Sequence, residues 1–148
     1  MQILKANIDH VDLVVPLFDS YRQFYDQKSD PESVMDFLSQ RLNRNESVIF
    51  VALDEEKNQG IGFVQLYPSF SSVNMKRMWI LNDLFVDENY RKQGVAEALI
   101  ETSRQLAIKS NSSGIVLETQ ISNKHAQMLY DKAGFVKDNN HHYYFLEV

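Results

Sequence analysis

The chain has 148 residues, of which 20 are acidic and 15 are basic, so its formal net charge is −5. This length predicts a single domain over residues 1–148, with room for a hydrophobic core. The absence of cysteine excludes disulfides and thiolate chemistry, and the lack of a signal-peptide pattern or a ~20-residue apolar run favours the cytoplasm.

The first part of the chain predicts one strand and two helices. Residues 3–6 suit a short strand, and apolar side chains recur at helical spacing over 11–25. Pro16 lies inside that pattern, so the first helix either kinks there or begins after it. The Asp-Pro-Glu run at 30–32 is typical of a helix start and predicts a second helix.

The rest of the chain alternates between strand and helix patterns. The predicted elements are a hairpin within 47–67, a loop over 68–76, a strand over 78–86, a helix after Gly94, a strand over 114–120, a helix closed by Gly134 and a last strand over 141–148. This order predicts an α/β fold in which helices flank a mixed sheet.

A glycine precedes the third predicted helix, with Arg91 and Lys92 just before it. The N-terminus of a helix attracts phosphate, and a glycine such as Gly94 allows the backbone to approach closely. Neither the P-loop pattern nor the three-glycine dinucleotide pattern is present. The alternative is a glycine that merely ends a loop beside two solvated cations.

The fourth predicted helix begins with a good N-cap residue, Asn123, and carries Tyr130 seven residues later. At ~100° per residue these two side chains share one face, ~10 Å apart along the axis. They suit the wall of an elongated ligand site. The alternative is that Tyr130 belongs to an ordinary apolar stripe that packs in the core.

Two motifs in the second half of the chain resemble those of the GNAT superfamily of N-acetyltransferases. The turn motif RKQGVA at 91–96 follows LFV at 84–86, and NKHAQMLYDKAGF covers 123–135. The resemblance is strong from about residue 79 to residue 135. Within the superfamily the chain is most similar to the small yeast histone/polyamine acetyltransferase group. The fold implied is a GNAT fold, with about six or seven strands flanked by about four helices.

The resemblance implies that acetyl-CoA is the co-substrate. Main-chain groups of Leu84, Phe85 and Val86 would pair with its pantetheine arm in the manner of an added strand. Asn123 would hydrogen-bond the same arm or its neighbourhood. The turn would hold the diphosphate through Arg91, Lys92, Gln93, Gly94, Val95 and Ala96.

The resemblance also implies direct attack of an amine on the thioester within a ternary complex. Tyr130 would face the departing sulfur. Since the reference pKa is about 10 for a phenol and about 8.5 for a thiol, full proton transfer costs about 2 kcal/mol, and hydrogen-bond donation is the expected role. Asp83, or less favourably Glu118, would bind or deprotonate the amine, unless these carboxylates are only structural. A strand N–H near Phe85 would stabilise the oxyanion.

The sequence leaves the acceptor open. We expect a primary amine of a small molecule, such as a polyamine or an amino acid. The alternatives are a lysine or N-terminus of a protein, or a CoA-binding module without turnover. Asn82 stands where polyamine acetyltransferases carry a glutamate, and a D-amino acid acceptor would need a cation such as Lys76 or Arg77.

The net negative charge argues against nucleic acid as a partner and suits a cationic substrate, although it also simply aids solubility. The four histidines show no metal-ligand spacing, so we expect no metal site. We expect no membrane partner. A homodimer is expected, formed through the final strand.

Overall fold

The structure is a computed structural model that describes residues 1–148. Its one sheet contains β1 (Gln2–Lys5), β2 (Val48–Asp54), β3 (Gln59–Ser71), β4 (Lys76–Val86) and β5 (Ile115–Val116). The strands lie in chain order across the sheet. Neighbours from β1 to β4 are antiparallel, and β5 is parallel to β4. The predicted mixed sheet is confirmed, but the predicted number of six or seven strands is wrong.

Four helices accompany the sheet, as expected, and none combines the length and hydrophobicity needed to cross a bilayer. The helix that contains Pro16 starts before this proline, which excludes the late start. Asp30 caps the second helix by accepting a hydrogen bond from the Ser33 N–H at 3.2 Å. The helices are α1 (Val11–Phe24), α2 (Pro31–Asn43), α3 (Val95–Lys109) and α4 (Lys124–Ala133).

The chain divides into two compact units, Met1–Glu118 and Thr119–Val148. The first unit contains the sheet, α1, α2 and α3, and the second contains α4. In the first unit, apolar faces of α1 and α2 pack with the sheet around Val14, Leu38 and Phe63, all fully buried. Burial of side chains of this size is the main stabilising contribution of such a core.

The connection between α1 and α2 is fixed by a buried carboxylate. Asp19, on α1, accepts hydrogen bonds from the Ser29 hydroxyl at 2.6 Å and from the Asp30 N–H at 2.8 Å. It is 7% exposed. These bonds satisfy both buried carboxyl oxygens and hold the start of α2 against α1.

The predicted loop over 68–76 is wrong for most of its length. Pairing of β3 with β4 continues out to Ser71 and Lys76, so only residues 72–75 turn. The Arg77 guanidinium lies over the Phe70 ring, 5.4 Å from its centroid. This cross-strand contact and the continued pairing stabilise the strands in this region. Pro68 and the neighbouring serines, by contrast, are residue types that favour a loop.

The two predicted strands nearest the C-terminus are the other departures. The strand expected over 114–120 contains only β5, and the one expected over 141–148 does not form. Side chains in that last segment are exposed, for example 87% for Phe145. A strand needs a partner strand, and the β-propensity of a segment does not supply one.

Gly60→Ala should lower the free energy of unfolding by about 1–3 kcal/mol, which urea denaturation would measure. An added methyl group at Gly60 would overlap the backbone carbonyl oxygen of Leu13 and lie 2.9 Å from the Cδ1 atom of Leu17. Gly114→Ala is the matched control, because a methyl group there meets no atom within 4 Å. Equal stability of the two variants would contradict the close approach of α1 to β3.

Candidate active site

The turn between β4 and α3 has a shape that requires its glycine. Gly94 is the N-cap of α3 and has a φ angle of 81°, a left-handed conformation that costs other residues roughly 1–2 kcal/mol. Lys92 also has a positive φ angle, 59°. Left-handed residues within a turn direct successive N–H groups toward one side, which creates a concave site for anions.

The N–H groups at the start of α3 are available to a ligand. The first helical hydrogen bond runs from the Ala98 N–H to the Gly94 carbonyl, at 3.0 Å. The N–H groups of Gly94, Val95 and Ala96 donate no hydrogen bond within the structure. A Cβ atom on Gly94 would meet no atom within 4 Å. Open space beside these donors fits a diphosphate.

The turn is braced from the hairpin between β2 and β3. The Tyr90 hydroxyl donates to the Asp54 carboxylate at 2.7 Å and accepts a hydrogen bond from the Lys57 ammonium at 2.8 Å. Its hydrogen bond is the main reason that the pKa of Asp54 is lowered. The brace therefore keeps Asp54 ionised and sets the position of the chain just before Gly94.

Arg91 connects the turn to the end of β4. Its Nε atom donates to the Val86 carbonyl at 3.0 Å, and its guanidinium lies 5.6 Å from the centroid of the Phe85 ring. Lys92 and Gln93 are exposed. Arg91 therefore orients the turn, and its terminal N–H groups remain for a phosphate, together with the Lys92 ammonium.

A bulge and an open edge mark the part of β4 that leads to the turn. Gln65 of β3 pairs with Asp83, whereas the next residue, Leu66, pairs with Leu81, so Asn82 is the extra residue of a β-bulge. On the other side, β5 pairs with β4 only at residues 79–80. The predicted ligand-pairing residues Leu84, Phe85 and Val86 thus lie on an edge without a neighbouring strand, which suits an added strand-like ligand.

A buried carboxylate lies beside the bulge. Asp83 is 5% exposed and accepts hydrogen bonds from the Gln65 Nε2 atom at 2.8 Å and the Asn82 Nδ2 atom at 3.1 Å. Gln65 Nε2 also donates to the Tyr67 hydroxyl at 3.2 Å. The Oε1 atom of Gln65 is buried and accepts no hydrogen bond. This polar cluster, residues 65, 67, 82 and 83, contains one buried oxygen without a donor, and no cation pairs with its carboxylate.

The protonation behaviour of the polar cluster follows from its burial. Desolvation raises the pKa of Asp83, and hydrogen bonds from Gln65, Asn82 and Tyr21 partly oppose this. Burial, followed by the charge of Asp83, raises the pKa of Tyr67 to about 12. Tyr67 is therefore neutral near pH 7, and Asp83 is a carboxylate with increased proton affinity, the property that suits a general base.

In the second unit, the predicted helix and its cap are present. Asn123 caps α4 by accepting a hydrogen bond from the Ala126 N–H at 3.1 Å, which leaves its side-chain amide group for a ligand. Tyr130 is partly buried, and its ring packs against that of Phe135 in a T-shaped contact with centroids 5.7 Å apart. Both residues lie on α4 or its cap, and their predicted roles stay predictions.

Sequence reasoning identifies the turn, the end of β4 and Asp83, but neither Gln65 nor Tyr90. A signal for Gln65 exists, because it is the one amide within the apolar run at 60–67. Tyr90 carries no such signal, since Asp54 and Lys57 lie 36 and 33 residues away in sequence. Glu118, the weaker carboxylate candidate, is exposed.

The sequence and the fold of the chain are similar to those of known acetyltransferases. The model of the acetyltransferase (GNAT) family matches residues 14–135. An uncharacterized N-acetyltransferase of Bacillus subtilis, YhfO, is 40% identical over 100% of this chain and 98% of its own. The crystal structure of a probable acetyltransferase is 44% identical, with a TM-score of 0.94 over 100% of this chain and 98% of that one. A D-amino-acid N-acetyltransferase of Saccharomyces cerevisiae is 31% identical over 60% of this chain and 55% of its own.

Proposed function

The chain belongs to the GNAT family of acetyltransferases and is an N-acetyltransferase; from that premise we propose that it transfers the acetyl group of acetyl-CoA to a primary amine of a small molecule. Acetyl-CoA is the co-substrate of this family. When bound, it supplies an acetyl group activated as a thioester. The cluster around Asp83 supports the choice of an amine as the acceptor.

The observation that supports the proposal is that the polar cluster lacks partners for some of its buried groups. It contains a buried carboxylate without a cationic partner and a buried amide oxygen without a donor, on Asp83 and Gln65. Buried charge is costly unless it is paired, so this arrangement favours a ligand that brings positive charge and N–H donors. A protonated amine has both properties.

Residues of the first unit bind the diphosphate, orient the pantetheine arm and accept the proton. The N–H groups at the start of α3, with Arg91 and Lys92, bind the diphosphate. The open edge of β4 from Leu84 to Val86 orients the pantetheine arm. Asp83 takes the proton that the amine must lose, directly or through one water molecule, because an amine attacks only in its neutral form. The raised pKa of Asp83 favours this acceptance.

The cations considered for an amino-acid acceptor lie far from Asp83. Lys76 and Arg77 are at the start of β4, and Arg77 precedes Asp83 by six residues, which is ~20 Å along a strand. The amine and carboxylate of one amino acid are much closer together. We therefore propose that simple alkylamines and diamines are better acceptors than free D-amino acids, although the yeast relative is named for the latter.

The test is a panel of acceptors assayed with acetyl-CoA by release of free thiol. The panel contains alkyl diamines, D-amino acids, and peptides with a free lysine or a free N-terminus. We expect kcat/KM to be at least about tenfold higher for the best diamine than for any other class, a difference of about 1.4 kcal/mol in transition-state binding. Thiol release with peptides alone would contradict the proposal and favour protein acetylation.

Tyr130→Phe should lower kcat by about tenfold or more and change the Kd of acetyl-CoA little. Removal of the hydroxyl group takes away the hydrogen bond that we propose it donates to the departing sulfur, while the ring keeps its contact with Phe135. Initial rates of thiol release give kcat, and calorimetry gives the Kd of acetyl-CoA.

Tyr25→Phe is the matched control for this variant. It removes one hydroxyl group from another tyrosine, at the end of α1, where the ring packs against Tyr21 and Phe24. Its kcat should equal that of the unchanged protein. If Tyr130→Phe keeps full turnover with every active amine, the proposed role of this hydroxyl is wrong.

A further inference from the structure

We propose that Tyr21 is a positioning residue of this reaction: its hydroxyl group holds the Asp83 carboxylate in place for the proton that the amine must lose. Tyr21 lies on α1, and Asp83 lies on β4. The proposal rests on the proposed function, because it gives the proton acceptor of that reaction a partner on a helix. The residues that carry it all belong to the first unit.

The Tyr21 ring packs on two phenylalanine rings of neighbouring strands. Phe63 of β3 pairs with Phe85 of β4. Two residues along each strand, Gln65 pairs with Asp83, so this second pair lies on the same face of the sheet. The centroid of the Tyr21 ring is 5.9 Å from that of Phe63 and 6.3 Å from that of Phe85, and both contacts are edge-on. This packing fixes the direction of the Tyr21 ring.

From this position the hydroxyl group of Tyr21 reaches the neighbouring carboxylate. Tyr21 donates a hydrogen bond to Asp83, which is buried. The side-chain amides of Gln65 and Asn82 donate to the same carboxylate, at 2.8 Å and 3.1 Å. Asp83 therefore has a donor from each of α1, β3 and β4, and Tyr21 is the donor that connects it to a helix.

Loss of the Tyr21 hydroxyl group has a defined effect on the chemistry of Asp83. A hydrogen bond donated to a carboxylate stabilises its charged form, and this bond lowers the pKa of Asp83 against the larger effect of burial. The other titratable side chain that faces Asp83 is Tyr67 of β3, and its surroundings raise its pKa to about 12. Arg41 of α2 acts on Tyr67 and forms its ion pair with Glu46, not with Asp83. Without the Tyr21 hydroxyl group, Asp83 therefore binds its proton more tightly and loses one of its fixed contacts.

The variant Tyr21→Phe tests the proposal, because it removes the hydroxyl group and keeps the ring. The pKa of Asp83 is measured by NMR titration of protein that contains isotope-labelled aspartate, and the Asp83 signal is identified by its absence from Asp83→Asn. We expect the proton affinity of Asp83 to rise about tenfold in Tyr21→Phe. This titration needs no turnover. It therefore decides on the hydrogen bond even if no small amine is acetylated, the result that would contradict the proposed function.

Initial rates measured across the pH range separate the position of the carboxylate from its protonation. In Tyr21→Phe the fall of kcat/KM toward low pH should move to higher pH, together with the pKa of Asp83. Above this range Asp83 is ionised in both proteins. There kcat should remain about tenfold lower in the variant, because the carboxylate has lost a contact that orients it. The Kd of acetyl-CoA should not change.

Tyr25→Phe is the matched control. Tyr25 lies four residues further along α1, its ring is 5.1 Å from that of Tyr21, and it is not among the donors to Asp83. Its substitution should leave the pKa of Asp83 and the pH profile unchanged. Tyr21→Leu, which removes the ring as well, measures the contribution of packing.

A purely structural role of Tyr21 would give a different pattern. Tyr21→Phe would then keep the pH profile of the unchanged protein and the pKa of Asp83, and only Tyr21→Leu would be impaired; this result would overturn the proposal. A double-mutant cycle gives a second measurement. In an Asp83→Asn background, Tyr21→Phe should change kcat by less than about twofold, since no carboxylate is left to position. An equal loss of kcat in both backgrounds would mean that Tyr21 does not act through Asp83.

Discussion

Replacement of Gly94 by valine should lower the affinity for acetyl-CoA by at least about 100-fold, which corresponds to ~2.7 kcal/mol. Two effects add. A β-branched residue is strained at a φ angle of 81°, so the turn must change shape. The new side chain would also occupy the space beside the free N–H groups at the start of α3, which is open in the structure.

The measurement is calorimetric titration of the purified variant with coenzyme A and with acetyl-CoA. Gly114→Val is the matched control, because Gly114 also has open surroundings but no positive φ angle. Its affinity should match that of the unchanged protein. Circular dichroism would check that both variants fold. A folded Gly94→Val protein that binds within about threefold of the unchanged protein would mean that the diphosphate binds elsewhere.

Asp83→Asn should lower kcat by about 100-fold or more, which is the usual contribution of a general base. The amide keeps the size of the carboxyl group and its oxygen can still accept a hydrogen bond from Gln65 or Asn82, but it cannot take a proton from the amine. The fall of kcat/KM toward low pH, which reports protonation of Asp83, should also disappear. Initial rates measured across the pH range give both results.

Asp19→Asn is the control for a buried carboxylate. Asp19 is 7% exposed and Asp83 is 5% exposed, and both accept hydrogen bonds from neighbouring groups. Asp19 lies on α1, where it holds the start of α2. Its substitution should change the melting temperature without changing kcat. If the two substitutions affect kcat equally, Asp83 acts only through the stability of the fold.

Asp83 should also make the stability of the unchanged protein depend on pH. Its pKa in the folded state is raised above the ordinary value of 3.8 by burial, so between these two pKa values the folded state binds more protons than the unfolded state. Stability therefore falls as pH rises through this interval. The asparagine side chain does not titrate, so Asp83→Asn does not lose stability in this way. As pH rises from about 4 to the raised pKa, the free energy of unfolding of the variant should therefore increase relative to that of the unchanged protein.

Local signals predicted the parts of the structure that local interactions determine. The N-caps at Asp30 and Asn123 and the left-handed glycine before α3 are each fixed by a few neighbouring residues, and the sequence contains those residues. The hairpin between β2 and β3 is likewise formed by adjacent segments. For the same reason the candidate diphosphate turn was predictable down to its glycine.

Features that depend on distant partners were not predictable from single segments. Gln65 faces Asp83 only because a bulge at Asn82 shifts the register of two strands, and the sequence does not report this shift. The extent of β3 and β4 beyond Pro68 follows from mutual pairing, which overrides the turn residues of that stretch. The final strand over 141–148 was predicted from composition alone, and it does not form because β-propensity does not supply the partner strand that a strand needs.

The hydrogen bonds of Tyr90 imply that donor affinity and amine selection can vary separately. Tyr90 is held by Asp54 and Lys57, at the end of β2 and in the turn that follows, whereas the residues around Asp83 lie on β3 and β4. A substitution or an inserted residue in the segment 55–58 would displace the backbone proposed to bind the diphosphate without altering the carboxylate. Changes in this short surface turn should therefore alter the affinity for the acyl donor and leave the choice of acceptor unchanged.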